Sequence, residues 1–439
     1  MPISGKDQVK LMKIARAFLT AGICILIIGC DASSVRPESD AAGKWLATDI
    51  TQYRRAAAPA VKQLPHKGLT KEDLSLFTRV YDRVRTHYVR DVNEKSLMSA
   101  AAEGMRRAHP DPAKVRTRVL VEAAIHGMLS SLDPYSAYLD DAHWRALRDQ
   151  TSGEFGGIGI QVRKGEGYIE VISPIDGTPA AKAGVQPGDH ILSADGRSFA
   201  KMLLRDAVLV LRGRPGSVVT LTLRRQQRPH FDLSIKRAII KVASVRYRVE
   251  PDIGYIRVSR FSERTGEEVL DAIGEIRNKL GGRLKGYVLD LRSNPGGLFD
   301  QSIEVADLFL DGGRIVSTRS RADERHYRAT SGDEAKGKPV VVLIDKGSAS
   351  AAEIVAGALK EHRRATLIGT RTFGKGSVQT ILPLSTEDRL KLTTAVYLTP
   401  KGSTVDGGIS PHIVVKMSDK KKGDDQLNYA LTFLRQRAR

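Results

Sequence analysis

Strand-length apolar runs alternate with amphipathic helical segments through the second half of the chain. In chain order, these runs and the helical segments between them are residues 254–258, 266–280, 286–291, 301–310 and 340–344. Runs that are apolar at almost every position are typical of strands buried on both faces, as in a parallel sheet covered by helices. The pattern therefore predicts an α/β core, which we place at residues 241–416.

The chain before and after this core divides into further regions. Residues 68–150 have helical apolar spacing, interrupted by a predicted turn at residues 133–136. Residues 151–240 contain Gly-rich turns and short β-type runs, which predict a separate and mostly β domain. Residues 417–439 begin with a basic turn and continue into a predicted closing helix.

The N-terminus has the pattern of a bacterial export signal. Basic residues precede an apolar run over residues 17–29, which is shorter than the about 20 residues that a bilayer span needs. The run ends at Cys30 and resembles a lipobox, in which this cysteine becomes the lipidated N-terminus. The sequence therefore predicts a lipoprotein-type signal peptide at residues 1–29, with an uncleaved signal anchor as the alternative.

The residues that follow Cys30 indicate where the mature chain is held. Residues 30–67 are rich in Ala, Ser, Pro and charged residues without periodicity, which predicts a spacer that lifts the folded part off a membrane. Asp31 resembles the inner-membrane retention signal of enteric lipoproteins. We therefore expect a lipid-tethered protein of the bacterial periplasm, held at the inner membrane.

The composition and the missing motifs argue against several classes of function. The formal net charge is +20, yet basic and acidic residues are interspersed and no nucleic-acid-binding motif occurs, so we expect a solvated basic surface suited to anionic lipid. Both cysteines, Cys24 and Cys30, lie in the N-terminal apolar stretch, so the mature domains have no internal disulfide. No metal-ligand cluster or H-E-x-x-H motif occurs either. The sequence thus predicts no metal, no other cofactor and no nucleic-acid partner.

Three segments that follow predicted strands carry the candidate catalytic residues. Ligands of open α/β sheets bind at the carboxyl ends of strands. The segments at these positions are residues 292–298, 345–354 and 369–379. A serine in residues 345–354, Ser348 or Ser350 on local sequence, would begin a helix, where backbone amides and the helix dipole can stabilise an oxyanion. No histidine is an obvious base for it, whereas Lys375 lies between two glycines, and Ser/Lys pairs are an established variant of the catalytic triad.

These segments, together with the mostly β domain, resemble a known family. The strings DLRSNPGGL, GSASAAEI and TFGKGSVQ follow a PDZ-like order of strand, short helix, Pro-Gly turn and strand within residues 151–240. In this order and spacing they resemble the carboxyl-terminal processing proteases, also called tail-specific proteases, over residues 70–435. The resemblance implies a serine endopeptidase with a helical N-terminal region, a circularly permuted PDZ domain and an α/β protease core of crotonase-like type.

The resemblance also implies the catalytic roles. Ser350 is the nucleophile, Lys375 the general base and Gln379 the side chain that orients the lysine. Ser348 competes for the role of nucleophile on local sequence alone. A lysine base needs a pKa well below its usual value of about 10.4, which burial would provide, and Arg371 would lower this pKa further if it lay close.

Further residues take their roles from the same resemblance. Gly296 and Ala351 supply the backbone amides of an oxyanion hole, and Arg212 transmits the presence of bound substrate from the PDZ domain to the core. Two positions depart from the family pattern: Ala352 stands where serine is usual, and His412 stands where aspartate is common. Neither position belongs to the predicted Ser/Lys dyad.

The PDZ-like region predicts how substrates are recognised. Such domains bind a peptide C-terminus as an added strand, while backbone amides of a Gly-rich loop hold its carboxylate. Here the loop consists of Phe155, Gly156, Gly157, Ile158 and Gly159, unless these glycines serve only tight turns. The implied substrates are envelope proteins with accessible C-termini. For some members the resemblance also implies a homodimer and a lipoprotein adaptor, which nothing else in the sequence indicates.

Two other functions fit parts of the sequence. Residues 369–375 match the first part of a phosphate-binding loop, G-x-x-x-x-G-K, but Gly376 stands where the magnesium-binding Ser or Thr must be, which argues against a nucleotide hydrolase. The second alternative is a scaffold that binds peptide termini through the PDZ domain and has lost catalysis. The presence of Ser350, Lys375 and Gln379 argues against this scaffold.

Overall fold

The computed structural model of this chain describes residues 37–57, 70–109, 111, 115–226, 229–417 and 423–437. The predicted signal peptide and Cys30 lie outside these residues. The helices are α1 (Pro37–Ala57), α2 (Lys71–His87), α3 (Glu94–Ala108), α4 (Thr117–Ser130), α5 (Asp141–Ser152), α6 (Pro179–Lys182), α7 (Leu204–Leu211), α8 (Thr265–Leu280), α9 (Phe299–Asp307), α10 (Ala351–Glu361) and α11 (Asp425–Arg437). Among these described helices, none has the length and apolar character needed to cross a bilayer.

Within the described residues, the strands belong to four sheets. They are β1 (Ala137–Leu139), β2 (Glu154–Gly157), β3 (Ile160–Lys164), β4 (Ile169–Pro174), β5 (His190–Ala194), β6 (Arg197–Ser198), β7 (Val218–Arg224), β8 (Phe231–Lys236), β9 (Ala238–Lys241), β10 (Val245–Val249), β11 (Ile253–Val258), β12 (Gly286–Asp290), β13 (Arg314–Arg319), β14 (Glu324–Arg328), β15 (Val340–Ile344), β16 (Ala365–Gly369), β17 (Ser377–Pro383), β18 (Arg389–Leu398) and β19 (Ile413–Val414). The chain divides into two compact units. One takes in the described residues up to Asp82 and His109–Val121, and the other takes in Arg83–Ala108 and the described residues from Glu122 onward.

Helix α1, in the first unit, replaces part of the predicted spacer. Ala42, Leu46 and Ile50 follow one another at helical spacing and are buried. The prediction of an unpatterned spacer was therefore wrong for residues 37–57. A buried stripe only one residue wide, set among alanines and charged residues, gives a weak periodic signal in the sequence.

The mostly β region predicted at residues 151–240 forms its own sheet. Its strands pair in the order β3-β4-β5-β7-β8, with β6 beside β5, while β2 and β9 pair with each other at the two ends of the region. Val219, Leu221 and Leu223 alternate along β7 and point into a core that includes Leu211 of α7. Alternation of this kind is why the sequence shows short β-type runs here.

The α/β core contains the parallel sheet that the apolar runs predict. Its strand order is β10-β11-β12-β15-β16-β19, in which β11 to β19 are parallel and β10 is an antiparallel edge. Every residue of β12 and β15 is buried, because α8, α9 and α10 cover one face of the sheet and α11 covers the other. The predicted fold class, with helical, mostly β and α/β regions, is confirmed.

A second sheet lies within the same unit and was not predicted from the sequence. Its order is β1-β18-β13-β14, and β17 also pairs with β18. β17 occupies one edge of β18, while β1 and β13 pair with its two ends on the other edge. β1 is only three residues long and belongs to the region predicted to be helical, so no local pattern reveals its distant partner. The sheet brings residues 133–136 close to the segment that carries Lys375.

A buried ion cluster holds α11 against the core. Asp290 is fully buried at the end of β12 and accepts hydrogen bonds from Arg292 Nη2 (2.6 Å) and from the Tyr255 hydroxyl (2.7 Å). Arg292 also donates to Asp424, which immediately precedes α11 (2.7 Å). Paired and hydrogen-bonded in this way, the buried charges are compensated, and the closing helix is tied to the strand ends.

His412 is accommodated by backbone hydrogen bonds. Its N–H donates to the carbonyl oxygen of Leu367 (2.9 Å), and its Nδ1 accepts from the Leu367 N–H (2.9 Å). Burial, with a smaller effect from Lys360, lowers the pKa of His412 and favours the neutral ring that can accept this bond. The imidazole thus provides an acceptor at the position where aspartate is common in the family.

Candidate active site

Two of the predicted strand-end segments lie against each other. β12 and β15 are adjacent parallel strands, so the residues that follow them leave the sheet at the same edge. The Ser293 N–H donates to Asp345 Oδ1 (2.7 Å), and the Ala349 N–H donates to the carbonyl oxygen of Asn294 (2.9 Å). These bonds fix the loop before Ser350 against the loop that contains Gly296.

The structure distinguishes the two candidate serines. Ser348 is fully buried, and its hydroxyl donates to the Leu291 carbonyl oxygen (2.8 Å) and accepts from the Asp345 N–H (3.0 Å). Ser350 is only half-buried and stands at the start of α10, with φ of 54° in the left-handed region. A non-glycine residue held there costs about 1–3 kcal/mol, and such strain is concentrated at functional sites. Ser348 is therefore a structural residue, and Ser350 is the accessible serine of the pair.

The predicted oxyanion-hole residues stand directly beside Ser350. A Cβ on Gly296, whose φ is 97°, would lie 2.9 Å from the Ser350 Cβ and 3.1 Å from the Ala351 nitrogen. Ala351 is the first residue of α10, where the backbone N–H has no intrahelical acceptor. The Gly296 N–H, by contrast, already donates to Asn294 Oδ1 (2.8 Å). An oxyanion would therefore have to share this second donor with Asn294.

Glu353 is a site residue to which the sequence analysis assigned no role. It is fully buried, and its carboxylate accepts the N–H groups of Ser350 (2.8 Å), Lys375 (2.9 Å) and Gly374 (2.7 Å), together with the Thr372 hydroxyl. The spacing Ser350-x-x-Glu353 is that of a helix capping box, a signal that was present in the sequence. One carboxylate thus fixes the backbones of both Ser350 and Lys375.

The same bonds exclude the phosphate-binding alternative. In a phosphate-binding loop the backbone amides point into a cradle and the loop opens a helix. Here the amides of Gly374 and Lys375 point at a carboxylate, and the segment continues into strand β17. The nucleotide-hydrolase alternative is therefore wrong.

Lys375 is half-buried, and its Nζ lies 4.7 Å from the centre of the Tyr135 ring. Burial is the main cause that lowers the pKa of Lys375, and the positive charge of Lys391 lowers it further. Asp133 and Glu353 act in the opposite direction. The neighbouring cation is Lys391, whereas the expected Arg371 is exposed and donates to the Gly407 carbonyl oxygen (3.1 Å).

Gln379 is held by hydroxyl groups of the second sheet. Its Nε2 donates to Ser377 Oγ (2.9 Å) and to Thr393 Oγ1 (3.3 Å). Within the described residues, no hydrogen bond joins its side chain to Lys375. The predicted contact with the lysine is thus not made in this arrangement, although both residues belong to the same short segment.

The predicted peptide-carboxylate loop combines a strand with a turn. Phe155, Gly156 and Gly157 lie in β2, while Gly159 has φ of 79°. A Cβ on Gly156 would lie 2.1 Å from the Gly213 oxygen, and one on Gly159 would lie 2.4 Å from Thr178. These two glycines are therefore required by close packing, whatever they bind.

Arg212 connects this loop to a neighbouring helix. Its guanidinium lies over the Phe155 ring, 4.2 Å from the ring centre. Its Nη1 is 3.7 Å from the carboxylate of Asp149 in α5. The arginine is therefore in contact with both the candidate peptide site and the helix that leads into the PDZ-like region.

The comparisons with known proteins agree with this layout. The profile of peptidase family S41 matches residues 252–415, and the PDZ domain profile matches residues 156–235. A carboxy-terminal-processing protease of Bartonella bacilliformis is 49% identical over 364 residues, which cover 81% of this chain and 78% of that protein. The carboxy-terminal processing protease CtpA of Bacillus subtilis is 41% identical over 307 residues, 69% of this chain and 65% of that protein. Among solved structures, a photosystem II D1 C-terminal processing protease matches 79% of this chain and 94% of its own, with 30% identity and a TM-score of 0.49.

Proposed function

The chain belongs to the carboxyl-terminal processing proteases of peptidase family S41, and we propose that it is a serine endopeptidase with a Ser350/Lys375 dyad. One observation carries this proposal: the buried Glu353 carboxylate accepts the backbone N–H groups of both Ser350 and Lys375. A nucleophile and a base whose backbones share one anchor keep a fixed separation, as nucleophilic catalysis requires. A folded Ser350→Ala protein that still degraded casein would contradict it.

The lowered pKa of Lys375 supports its role as general base. The free amine takes the Ser350 proton while the serine oxygen attacks the scissile carbonyl carbon, and the resulting ammonium then protonates the leaving amine. Water, deprotonated by the same amine, releases the acyl group and restores the serine. Burial favours the neutral amine that the first step needs, because an ammonium in poor contact with water is disfavoured.

The start of α10 is suited to the charge that develops in this reaction. A tetrahedral intermediate at Ser350 carries an oxyanion, and the Ala351 N–H and the positive end of the α10 dipole face that region. The Gly296 N–H is the second donor, shared between the oxyanion and Asn294 Oδ1. Because a Cβ at Gly296 would approach Ser350 too closely, only glycine brings this amide near enough.

We further propose that the PDZ domain selects protein substrates by their C-termini. Strand addition at a PDZ edge leaves a pocket for the last side chain, and loop amides bind the terminal carboxylate. The residues assigned to this loop are Phe155, Gly156, Gly157, Ile158 and Gly159, with Arg212 against the phenylalanine. Envelope proteins with accessible, apolar C-termini are the proposed substrates.

Amidating the C-terminus of a model substrate should slow its cleavage mainly through KM. Loss of a charge-assisted hydrogen-bonding group predicts a fall in kcat/KM of about tenfold or more, with little change in kcat. The measurement is steady-state cleavage of a matched pair of peptides with an apolar end. A control pair that ends in two aspartates should be cleaved slowly in both forms. Equal rates for the free and amidated apolar peptides would refute C-terminal selection.

The proposed location is the periplasmic side of the inner membrane, with Cys30 carrying the lipid. The support is the short apolar run that ends before this cysteine, followed by Asp31. Cys30→Ser should move the protein from the membrane to the soluble envelope fraction or leave the signal uncleaved. Fractionation and mass spectrometry of the mature chain check this. If both the fractionation and the mature mass stay the same, the protein is not a lipoprotein.

A further inference from the structure

The turn at residues 133–136 is brought to the proposed base by long-range strand pairing. β1 leaves the turn and pairs with one end of β18, and on the opposite edge of β18 Gln379 faces Thr393. Ser136 Oγ accepts a hydrogen bond from the Thr393 N–H (3.1 Å), although 257 residues separate the two in the sequence. The turn is therefore part of the wall of the site.

Asp133 makes this turn rigid and charged. Its carboxylate accepts the N–H groups of Tyr135 (2.7 Å) and Ser136 (2.8 Å) and the Ser136 hydroxyl (2.9 Å). Burial acts to raise the pKa of Asp133, but these bonds and one from Thr393 hold the pKa below its usual value. The carboxylate is consequently ionised at neutral pH. Its negative charge acts on Lys375 and favours the ammonium form of the lysine.

The aromatic face of Tyr135 covers the Lys375 amine. With Nζ 4.7 Å from the ring centre, the ring attracts the ammonium form and keeps water from one side of the amine. A side chain with four rotatable bonds needs such a contact to remain in one orientation. The ring thereby restricts the direction from which the amine can accept a proton.

Charged groups from several elements surround this amine. They are Asp133 in the turn, Glu353 in α10 and Lys391 in β18. Glu353 is committed to backbone N–H groups. Asp133 lies in the turn that precedes β1, and Lys391 lies in β18, the strand with which β1 pairs. These two opposite charges act on the base from different elements.

We propose that residues 133–136 form a positioning turn for the base, in which Tyr135 holds the Lys375 amine and Asp133 balances the charge of Lys391. The inference rests on the proposed role of Lys375 and extends it, because it assigns a function to a segment far from the dyad in sequence. Ser136 and Thr393 continue the turn to Gln379, whose amide nitrogen is 3.3 Å from Thr393 Oγ1. The turn is thus linked both to the proposed base and to Gln379.

Removing a negative or a positive charge beside Lys375 should shift the pH dependence of kcat/KM in opposite directions. The part of the profile concerned is the acid limb, the pH range in which kcat/KM falls as the pH decreases. Asp133→Asn keeps the acceptor oxygen of the turn but removes a charge that favours the ammonium, so the limb should move to lower pH. Lys391→Met removes a repelling cation and should move the limb to higher pH. The measurement is kcat/KM for one peptide between about pH 5 and 10. Glu387→Gln, an exposed change in the β17–β18 loop, is the matched control and should leave the limb in place.

The contact between the Tyr135 ring and the Lys375 amine is tested by measuring kcat for variants of Tyr135. Tyr135→Leu should lower kcat about two- to fivefold with KM unchanged, the factor expected when a cation loses an aromatic face. Tyr135→Phe keeps that face and should retain more of kcat than the leucine variant. Circular dichroism establishes that each variant is folded.

The outcomes separate this inference from the proposed dyad. If folded Lys375→Ala remains active, the dyad itself is wrong. If Lys375 is essential but neither Asp133→Asn nor Lys391→Met moves the acid limb, the turn has only a structural role and the inference fails. Should Asp133→Asn not fold, the Tyr135 variants decide: equal kcat for Tyr135→Leu and the wild type would overturn the inference, and a lower kcat that Tyr135→Phe restores would support it.

Discussion

Alanine at Ser350 is expected to lower kcat/KM for a peptide substrate by about 10⁴-fold or more, because the attacking oxygen is lost while the helix start remains. Arginine at Lys375 should cause a comparable loss, although it keeps the positive charge, since a guanidinium does not give up its proton in the working pH range. Both variants should fold, because Glu353 bonds to the backbones of these two residues. The measurement is cleavage of one peptide, with circular dichroism as the test of folding.

Ser348→Ala is the matched control for the nucleophile. The buried Ser348 hydroxyl donates to the Leu291 carbonyl, so its loss should lower the free energy of unfolding by about 1–3 kcal/mol. The folded fraction should still cleave the peptide, because Ser350 is untouched. Loss of turnover with Ser348→Ala and not with Ser350→Ala would exchange the roles of the two serines.

The proposed dyad also predicts the sign of the pH dependence. If Lys375 is the base, activity needs its free amine, so kcat/KM should fall as the pH decreases and Lys375 becomes protonated. Burial and Lys391 place this transition below that of a solvated lysine. A carboxylate base would instead remain active into the acid range. Near-normal activity of a folded Lys375→Arg or Lys375→Ala protein would remove the lysine from the mechanism.

Glutamine at Glu353 is expected to reduce both turnover and stability. Its amide group offers two donors where the carboxylate accepted bonds from Ser350, Gly374, Lys375 and Thr372, so some of these donors lose their acceptor. Each buried donor left unsatisfied costs about 1–3 kcal/mol. Because two of these donors position the dyad, kcat should fall even in the folded fraction. Denaturant unfolding and peptide cleavage measure the two effects.

Glu361→Gln provides the comparison on the same helix. Glu361, at the other end of α10, accepts one exposed backbone N–H from Lys401 (2.7 Å). A surface change of this kind should alter the free energy of unfolding by less than about 0.5 kcal/mol and leave kcat unchanged. Equal effects of the two substitutions would show that Glu353 has no special part in the site.

The sequence predicted those parts of the molecule that have a local signal. The buried strands β12 and β15 appear as continuous apolar runs, and the rule that sites lie at the carboxyl ends of such strands led to the segments that contain Ser350 and Gly296. The choice of Ser350 over Ser348 came only from the family resemblance. The mostly β region was visible because β7 alternates between buried and less buried residues. Short-range periodicity is enough to predict these strands, because which of their residues are buried depends only on the strand itself and on the layer packed against it.

Features that depend on distant partners were missed. Nothing around Ala137 indicates that it pairs with Lys391, so the second sheet and its turn at the lysine could not be predicted. Glu353 had a visible capping-box spacing, but its bonds to Gly374 and Lys375 depend on how a later segment folds back. α1 was missed for a different reason, because its buried stripe is too narrow to stand out from its charged surroundings.

The pairing of β1 with β18 also joins parts of the site that are synthesised at very different times. The wall of the site beside Lys375 is built from a turn near residue 135 and from a strand that begins at Arg389. A nascent chain that carries Ser350 and Lys375 but has not yet released β18 lacks this wall. Pairing over such a distance forms late, after the local elements. Until this pairing forms, the chain has its proposed nucleophile and base but lacks the wall beside Lys375.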